Sequence, residues 1–370
     1  MKNKIRMADP WITEFEIKIV EDMMKTGWDN YKYVEKFEPE FARYHDRKFG
    51  IMTPCCTHAL HLLLLSLGIK DGDEVIAPEC TWTASVAPII YERAIPIFCD
   101  IDPKNWCLDA NSVRKRINEK TKAIIAVDLY GNMPEMGELE KISKETGIPL
   151  IEDSAEALGS VYNGVRAGKF GIGSVFSFHR TKTITTGEGG MLITDDENIK
   201  DRAKFLRDHG RHPTIPYYTV EASPKYMPSN LQAALGWAQL QRIEQLVQRK
   251  RDIFHKYLKE FSDFEDLQFN LENENLINGA WATSLVIGKK YNKDKKEIMR
   301  RLEEMGLPIR PFFYPLSSLP AYRDYKTGSK EINPNSYDIS ERGITLPCSF
   351  HLSDEDIKEY SDAVKKIITT

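Results

Sequence analysis

Short apolar runs alternate with helical apolar patterns through the first two-thirds of the chain. The runs are rich in β-branched residues and predict buried strands, whereas the segments between them have apolar residues three and four apart and predict helices. Strands alternating with helices predict an α/β protein with a mostly parallel sheet, which binds ligands beyond the carboxyl ends of its strands. The predicted strands are 73–78, 95–99, 123–128, 149–153 and 174–178, and the predicted helices are 57–67, 83–91, 112–119 and 136–146.

A different pattern begins near residue 230 and predicts one long helix. Apolar residues between Leu240 and Leu258 recur at spacings of three, four and seven, which gives this helix one apolar face. We expect it to join a large domain, residues 1–245, to a smaller C-terminal α/β domain, residues 246–370. The elements predicted for the smaller domain are strands at 281–287 and 308–310 and helices at 294–305 and 354–367.

Composition and charge narrow the class of protein. Of the 370 residues, 41% are hydrophobic and 29% charged, as in a soluble globular enzyme. The net charge of −4 gives no basic excess of the kind that nucleic-acid-binding proteins show. No apolar run approaches the roughly 20 residues that cross a bilayer, and the N-terminus lacks the apolar segment of a secretory signal. We therefore expect a cytoplasmic protein without nucleic acid or membrane among its partners.

The six cysteines predict neither a disulfide framework nor a zinc site. Cys55 and Cys56 are adjacent, the others are scattered, and no Cys-x-x-Cys or Cys/His spacing of a metal site occurs. We expect most of them to pack as small hydrophobic side chains, and we expect no metal.

A lysine follows the predicted strand at 174–178 and precedes a loop rich in threonine and glycine. The glycines after Lys182, Gly187, Gly189 and Gly190, allow close approach of the backbone to a ligand. A desolvated lysine amine is a nucleophile that forms Schiff bases. A surface lysine in a β-turn fits the same spacing, so the spacing alone leaves both interpretations open.

Two further segments bring polar groups to strand or helix ends. Asp153 closes a buried strand, where a carboxylate needs a partner to stay charged, and the pyridinium nitrogen of pyridoxal phosphate (PLP) is such a partner. Glu156 lies three residues further on and could reach the hydroxyl of the same ring. Thr57 and His58 open an apolar helix whose free N–H groups suit a phosphate. The alternative for Asp153 and for Thr57, each taken alone, is a simple helix cap.

In this order, the segments resemble the DegT/DnrJ-type family of sugar aminotransferases. That family has the fold-type-I architecture of PLP enzymes, with a seven-stranded, mostly parallel sheet and a smaller C-terminal domain. The resemblance covers nearly the whole chain, and the stretch around Lys182 is similar to that of perosamine synthases. The segments that carry it are Gly27-Trp28, Asp153-Ser-Ala-Glu-Ala, Thr185-Thr-Gly-Glu-Gly-Gly-Met, Asn230-Leu-Gln-Ala-Ala-Leu-Gly and Leu346-Pro347.

The resemblance implies roles for the candidate residues. Lys182 forms the Schiff base and then moves a proton between the substrate carbon and the cofactor, and Asp153 pairs with the pyridinium. The other implied cofactor contacts are Glu156 near the ring hydroxyl, Trp82 against the ring face, Thr57, His58 and Ser177 at the phosphate, and His179 beside the cofactor.

The chain departs from the family pattern at several positions. Cys56 stands where relatives usually have glycine and is a candidate for lining the cofactor site. Lys225 stands where relatives have an asparagine that reaches the neighbouring subunit's phosphate, and a lysine also serves a phosphate; Asn230 is the competing candidate. Such shared contacts imply a homodimer.

On the substrate side, Ser317 replaces a histidine of many relatives. Residues that could contact the sugar or diphosphate are Arg207, His209, Arg310, Phe312, Phe313 and Tyr314.

A lysine at position 182 also favours one reaction. Some relatives carry histidine there and deoxygenate nucleotide sugars, whereas lysine supports transamination. The resemblance thus implies amino transfer from L-glutamate to a keto-sugar, with a nucleotide-linked 4-keto-6-deoxy hexose as the expected acceptor, for amino-sugar and polysaccharide biosynthesis such as that of lipopolysaccharide. One alternative is the same chemistry on a 3-keto sugar, a keto-inositol or a keto-octulosonate. Another is a regulatory protein that binds PLP or a sugar without turnover.

Overall fold

The computed structural model describes residues 5–370, whose helices and strands alternate over most of the large domain. The strands are β1 Phe49–Thr53, β2 Glu74–Pro78, β3 Ile95–Cys99, β4 Thr121–Val127, β5 Leu150–Asp153, β6 Val161–Tyr162, β7 Val165–Arg166, β8 Gly173–Ser177, β9 Gly190–Thr194, β10 Leu267–Phe269, β11 Leu276–Ile277, β12 Ser284–Ile287, β13 Arg310–Pro311 and β14 Gly343–Thr345. The α-helices are α1 Glu14–Thr26, α2 Lys32–Tyr44, α3 Cys56–Ser66, α4 Ala87–Tyr91, α5 Ala110–Arg116, α6 Met136–Thr146, α7 Glu197–Arg207, α8 Asn230–Leu240, α9 Ile243–Glu260, α10 Lys295–Glu304, α11 Pro334–Arg342 and α12 Asp354–Thr369.

The large sheet has seven strands in the order β1-β9-β8-β5-β4-β2-β3. β9 runs antiparallel to its two neighbours, and the other strands share one direction, which confirms the mostly parallel sheet. Asp153 of β5 is in register with Val175 of β8, so Asp153 and the turn after Ser177 emerge at the same edge. β1 also ends at this edge, and α3 begins there after a two-residue turn.

Helix α3 is buried because it is apolar on every side. Residues 59–64 of this helix are all buried, and all of them except His61 pack in the main core with strands of the large sheet. A helix that is hydrophobic all round belongs in a core. Its N-terminus is therefore held firmly at the carboxyl edge of the sheet. Among residues 5–370, no helix is long and apolar enough to cross a membrane.

The smaller domain contains a four-stranded antiparallel sheet in the order β10-β12-β14-β13. Helix α9 contributes to two cores: Ile243 and Leu246 pack in a core of the large domain, and Ile253 and Tyr257 in that of the smaller domain. We propose α9 as the connection between the domains, with the boundary after residue 245 inside its first turns. Ile5 also packs against the smaller domain's core, so the start of the described chain lies with that domain.

Two predicted helices are divided in the structure, and both predictions were wrong in extent. The helix expected from residue 230 onward ends at Leu240 and a second one begins at Ile243, because Arg242 leaves helical geometry (φ −129°) and donates to Glu16 Oε1 at 3.0 Å. The helix expected over 83–91 is a 3₁₀ turn followed by α4. Pro88 has no N–H to donate to the preceding turn and instead stands at the start of α4, where proline is favoured.

Candidate active site

A cavity of about 380 Å³ opens at the carboxyl edge of the large sheet, with Arg310 and Phe313 of the smaller domain in its wall. Arg310 and Phe313 are two of the residues expected to contact a sugar. Arg207, another of them, is buried elsewhere and donates to the Met52 carbonyl at 2.8 Å. The predicted cofactor residues that line the cavity are Cys56, Thr57, Trp82, Asp153, Glu156, Ser177, His179 and Lys182.

Asp153 is a buried carboxylate held in a fixed orientation. The Ser85 hydroxyl donates to its Oδ2 at 2.7 Å, and the Ala155 N–H donates to its Oδ1 at 3.1 Å. Burial nevertheless raises the pKa of Asp153, because two hydrogen bonds do not replace the water that a charged carboxylate loses. A cationic ring nitrogen would restore the balance, so this position suits a pyridinium.

Lys182 lies in the turn after β8 with its side chain 12% exposed. Its Nζ donates to Glu156 Oε1 at 3.1 Å and lies 3.6 Å from the centroid of the Trp281 ring. Glu156 is fixed on its other side, because the Tyr130 N–H donates to its Oε2 at 3.0 Å. The lysine amine is thus held inside the cavity between a carboxylate and an aromatic face.

The first turn of α3 lies at one end of the cavity. Cys56 and Thr57 line the cavity from this turn, where helix N–H groups are free to bind an anion. Gly190 of β9 packs directly beneath the turn, since a Cβ at this position would lie 2.4 Å from the Cys55 carbonyl carbon and 2.5 Å from the Cys56 nitrogen. The first turn of α3 and Gly190 together form a cradle that fits a phosphate. The close packing requires glycine at position 190, one of the glycines that the sequence singled out.

Three predicted residues flank this region. Trp82 is 58% exposed, and its ring lies 5.8 Å from the ring of Phe313 at the cavity wall. His179 Nδ1 is 3.0 Å from the Thr181 hydroxyl, and burial lowers its pKa, which favours the neutral ring. Burial raises the pKa of the Cys56 thiol well above its usual range, with Asp153 adding to the effect, so this thiol is neutral.

His58, Lys225 and Asn230 do not line the cavity of the described chain. The His58 N–H donates to the Cys55 carbonyl at 3.1 Å, and its ring stacks on Tyr226 at 3.9 Å. Lys225 is half-exposed and forms an ion pair with Asp208. Asn230 is buried and ties two backbone groups together, accepting from Tyr33 N–H and donating to the Gly27 carbonyl, each at 2.9 Å.

The structure also brings in residues that the sequence did not predict for the site. Ser85 orients Asp153, Tyr130 orients Glu156, and Trp281 faces Lys182. No local sequence motif marks these three residues. In the structure, Tyr130 stands out by its backbone φ of 56°, which is uncommon outside glycine. Within the described residues, no group of three or more His, Cys, Asp and Glu side chains could hold a metal ion.

Comparison with known proteins identifies the family. Residues 10–365 match the DegT/DnrJ/EryC1/StrS aminotransferase family. The chain belongs to this family. It is 36% identical to the GDP-perosamine synthase of Vibrio cholerae, with 98% of each chain covered, and 35% identical to that of Escherichia coli O157:H7, with 95% of each covered.

Solved structures agree with the DegT/DnrJ assignment. The putative sugar aminotransferase Spr1654 from Streptococcus pneumoniae superimposes with a TM-score of 0.91 at 28% identity, and both its PMP and PLP forms match over 98–99% of either chain. The chain is therefore a PLP-dependent sugar aminotransferase of fold type I, as the resemblance implied. The buried carboxylate, the paired lysine and the cradle at α3 are the features of this chain that fit the cofactor.

Proposed function

We propose that this enzyme transfers the amino group of L-glutamate to a nucleotide-linked 4-keto-6-deoxy hexose during amino-sugar biosynthesis. The main support is the placement of Lys182 between Glu156 and Trp281 in a cavity that also holds Asp153. The identity of 36% to a GDP-perosamine synthase over nearly the full length supports a nucleotide sugar as the acceptor.

The chain's own residues divide the work of the reaction. PLP, when bound, supplies the carbonyl carbon that takes up the amino group and the ring that withdraws electrons from the substrate carbon. Lys182 holds the cofactor and moves the proton at the substrate carbon through its Nζ. Asp153 would keep the ring nitrogen protonated, and Glu156, which holds Nζ when it is free, would lie near the ring hydroxyl. Thr57, Ser177 and the start of α3 bind the phosphate.

The outer half of the cavity suits a nucleotide-linked sugar. Trp82 and Phe313 present aromatic surfaces, on which the apolar faces of a hexose ring pack well. Arg180 and Arg310 add guanidinium groups to the lining, and guanidinium is the side-chain group best matched to phosphate or carboxylate oxygens. We propose that Phe313, Arg180 and Arg310 bind the acceptor and the amino donor, and that Trp82, whose implied place is against the cofactor ring, also borders the acceptor.

We further propose that two copies of the chain share their active sites. Lys225 lies outside the cavity of its own chain, is half-exposed, and forms a surface ion pair with Asp208. It would bind the cofactor phosphate of the partner subunit as a point charge. Asn230 is the weaker candidate, because both ends of its amide are already occupied inside its own chain.

A panel of keto-sugars tests the proposed acceptor. The PLP-loaded enzyme and L-glutamate are incubated with nucleotide-linked 4-keto-6-deoxy hexoses, 3-keto sugars, a keto-inositol and a keto-octulosonate, and 2-oxoglutarate and amino-sugar are measured. Where a ketone is unstable, the reaction is run in reverse from the amino-sugar. Highest kcat/KM on a 4-keto-6-deoxy hexose supports the proposal. Preference for another ketone would reject the 4-keto-6-deoxy hexose as the acceptor. Absence of turnover with L-glutamate and every ketone of the panel would favour a protein that binds PLP or a sugar without turnover.

A further inference from the structure

Trp281 belongs to a closed ring of contacts around the reactive lysine. Its ring face lies 3.6 Å from Lys182 Nζ, and its indole N–H donates to the Thr181 carbonyl at 2.8 Å, one residue before the lysine. The same ring lies parallel to that of Tyr130 (interplanar angle 6°), whose N–H holds Glu156. Glu156 in turn accepts from Lys182. Trp281 is buried, so water does not compete for its face.

These contacts suit a lysine whose amine is free and protonated. An ammonium is attracted to the face of an indole ring, more strongly so where both are desolvated. Lys182 has this form only while its Nζ is not bonded to the cofactor. When the ammonium condenses with the cofactor aldehyde, a protonated C=N bond forms and water leaves, so the separate ammonium no longer exists over the ring.

We propose that Trp281 is a positioning residue that holds the released Lys182 ammonium and thereby favours the amine form of the cofactor over the aldehyde form. This inference rests on the proposed function, in which Lys182 is released each time the cofactor takes up an amino group. Trp281 comes from the segment that leads into β12, so the smaller domain contributes to the balance between the two halves of the reaction.

The equilibrium of the first half-reaction tests the proposal. The PLP-loaded enzyme is mixed with fixed ratios of L-glutamate and 2-oxoglutarate, and the bands near ~330 nm and ~410–430 nm give the ratio of amine to aldehyde form. We expect Trp281→Leu to lower this ratio by about 2- to 30-fold, the range of a cation–π contact. Trp281→Phe keeps an aromatic face, so its amine-to-aldehyde ratio should lie between those of the wild type and Trp281→Leu.

Fluorinated tryptophans separate the electrostatic effect from a change of shape. The six tryptophans are replaced by 5-fluoro-, then difluoro- and trifluorotryptophan, which weaken the negative ring face with little change in size. The amine-to-aldehyde ratio should fall stepwise with fluorine number. In Trp281→Phe the same replacements should have no effect. Persistence of the trend in that variant would assign it to another tryptophan, such as Trp82, and overturn the proposal.

A matched control is available within the chain. Trp237 also carries a lysine over its ring, with Lys36 Nζ at 4.6 Å from the centroid, but it lies on α8 outside the cavity. Trp237→Leu should leave the ratio unchanged. If the wild-type enzyme converts with glutamate and Trp281→Leu keeps the wild-type ratio, the inference is wrong while the proposed function stands. If no amino donor converts the wild-type enzyme, the proposed function itself fails.

The cofactor-free protein gives an independent readout. Thermal midpoints are compared for Lys182→Met, Trp281→Leu and the double variant. Because the two side chains interact, we expect the double variant to lose less than the sum of the single losses. Additive losses would show that the contact contributes nothing and would contradict the proposal.

Discussion

Lys182 is held by two attractions, to the Glu156 carboxylate and to the Trp281 ring. In Lys182→Ala the cavity keeps Asp153 and the N-terminus of α3. We therefore expect the variant to bind PLP, more weakly, and to lose amino transfer by at least about a thousandfold, because both the nucleophile and the proton carrier are removed. Equilibrium dialysis of PLP and turnover with glutamate measure the two effects. Turnover near that of the wild type would remove Lys182 from the mechanism.

Asp153 predicts a pH effect whose sign depends on the cofactor. Burial raises its pKa, so in the cofactor-free fold its ionisation lowers stability; the penalty is absent below the unfolded pKa near ~3.9 and complete above the folded value. Asp153→Asn should therefore raise the thermal midpoint of the cofactor-free protein at pH 7, and the gain should disappear as the pH falls toward 4. PLP should stabilise the wild type more than this variant. Equal stabilisation of the two would rule out pairing with the ring nitrogen.

At the residue scale, sequence reasoning finds side chains that carry their own local signal. Asp153 ends a recognisable strand and Lys182 follows another, and the resemblance supplies their order. Ser85, Tyr130 and Trp281 act on Asp153, Glu156 and Lys182 respectively from segments distant in sequence, so only the fold reveals them. Asn230 was a candidate from the sequence, but the structure shows its amide bonded to the backbone of its own chain, a contact that the sequence does not reveal.

At the element scale, the meeting of β9 with the start of α3 shapes the phosphate cradle. Gly190→Ala would drive a Cβ into the backbone of residues 55 and 56, so the helix start must shift. We expect a loss of about 1–3 kcal/mol in unfolding free energy and weaker PLP binding. Denaturant unfolding and PLP titration measure both effects.

Gly137→Ala is the matched control for that substitution. Gly137 is exposed near the start of α6, and a Cβ there meets no atom within 4 Å. Alanine in a helix is favoured over glycine by roughly 0.5–1 kcal/mol, so this variant should be slightly more stable and bind PLP normally. If both variants bind PLP as the wild type does, the cradle does not depend on this close packing.

Two elements have the bounds that the sequence predicted. β3 and α6 have the predicted bounds, because their apolar residues face a core with the expected spacing. Helix α1 lies outside the predicted elements although Thr13 and Glu16 form a capping box at its start, a local signal that could have revealed it. The break between α8 and α9 was not predictable, since it depends on the contact of Arg242 with a distant glutamate.

At the scale of the whole molecule, the proposed dimer predicts different effects for substitutions of Lys225 and Asn230, the two candidates for the contact with the partner's phosphate. Lys225→Ala should weaken PLP binding by about tenfold or more, because a charged contact to the partner's cofactor is lost, while the thermal midpoint of the cofactor-free protein stays nearly unchanged. Asn230→Ala should show the reverse, since it removes two buried hydrogen bonds. Sedimentation velocity should give a dimer for both. A PLP affinity that falls only in the Asn230 variant would transfer the phosphate contact to that residue.

The central claim is that this cavity moves an amino group from glutamate through PLP bound at Lys182. The most direct measurement is an absorbance scan of the PLP-loaded enzyme during titration with L-glutamate. We predict that a band near ~410–430 nm declines while one near ~330 nm rises, and that 2-oxoglutarate reverses the change. An unchanged spectrum with glutamate and with every other amino donor tried would contradict the account.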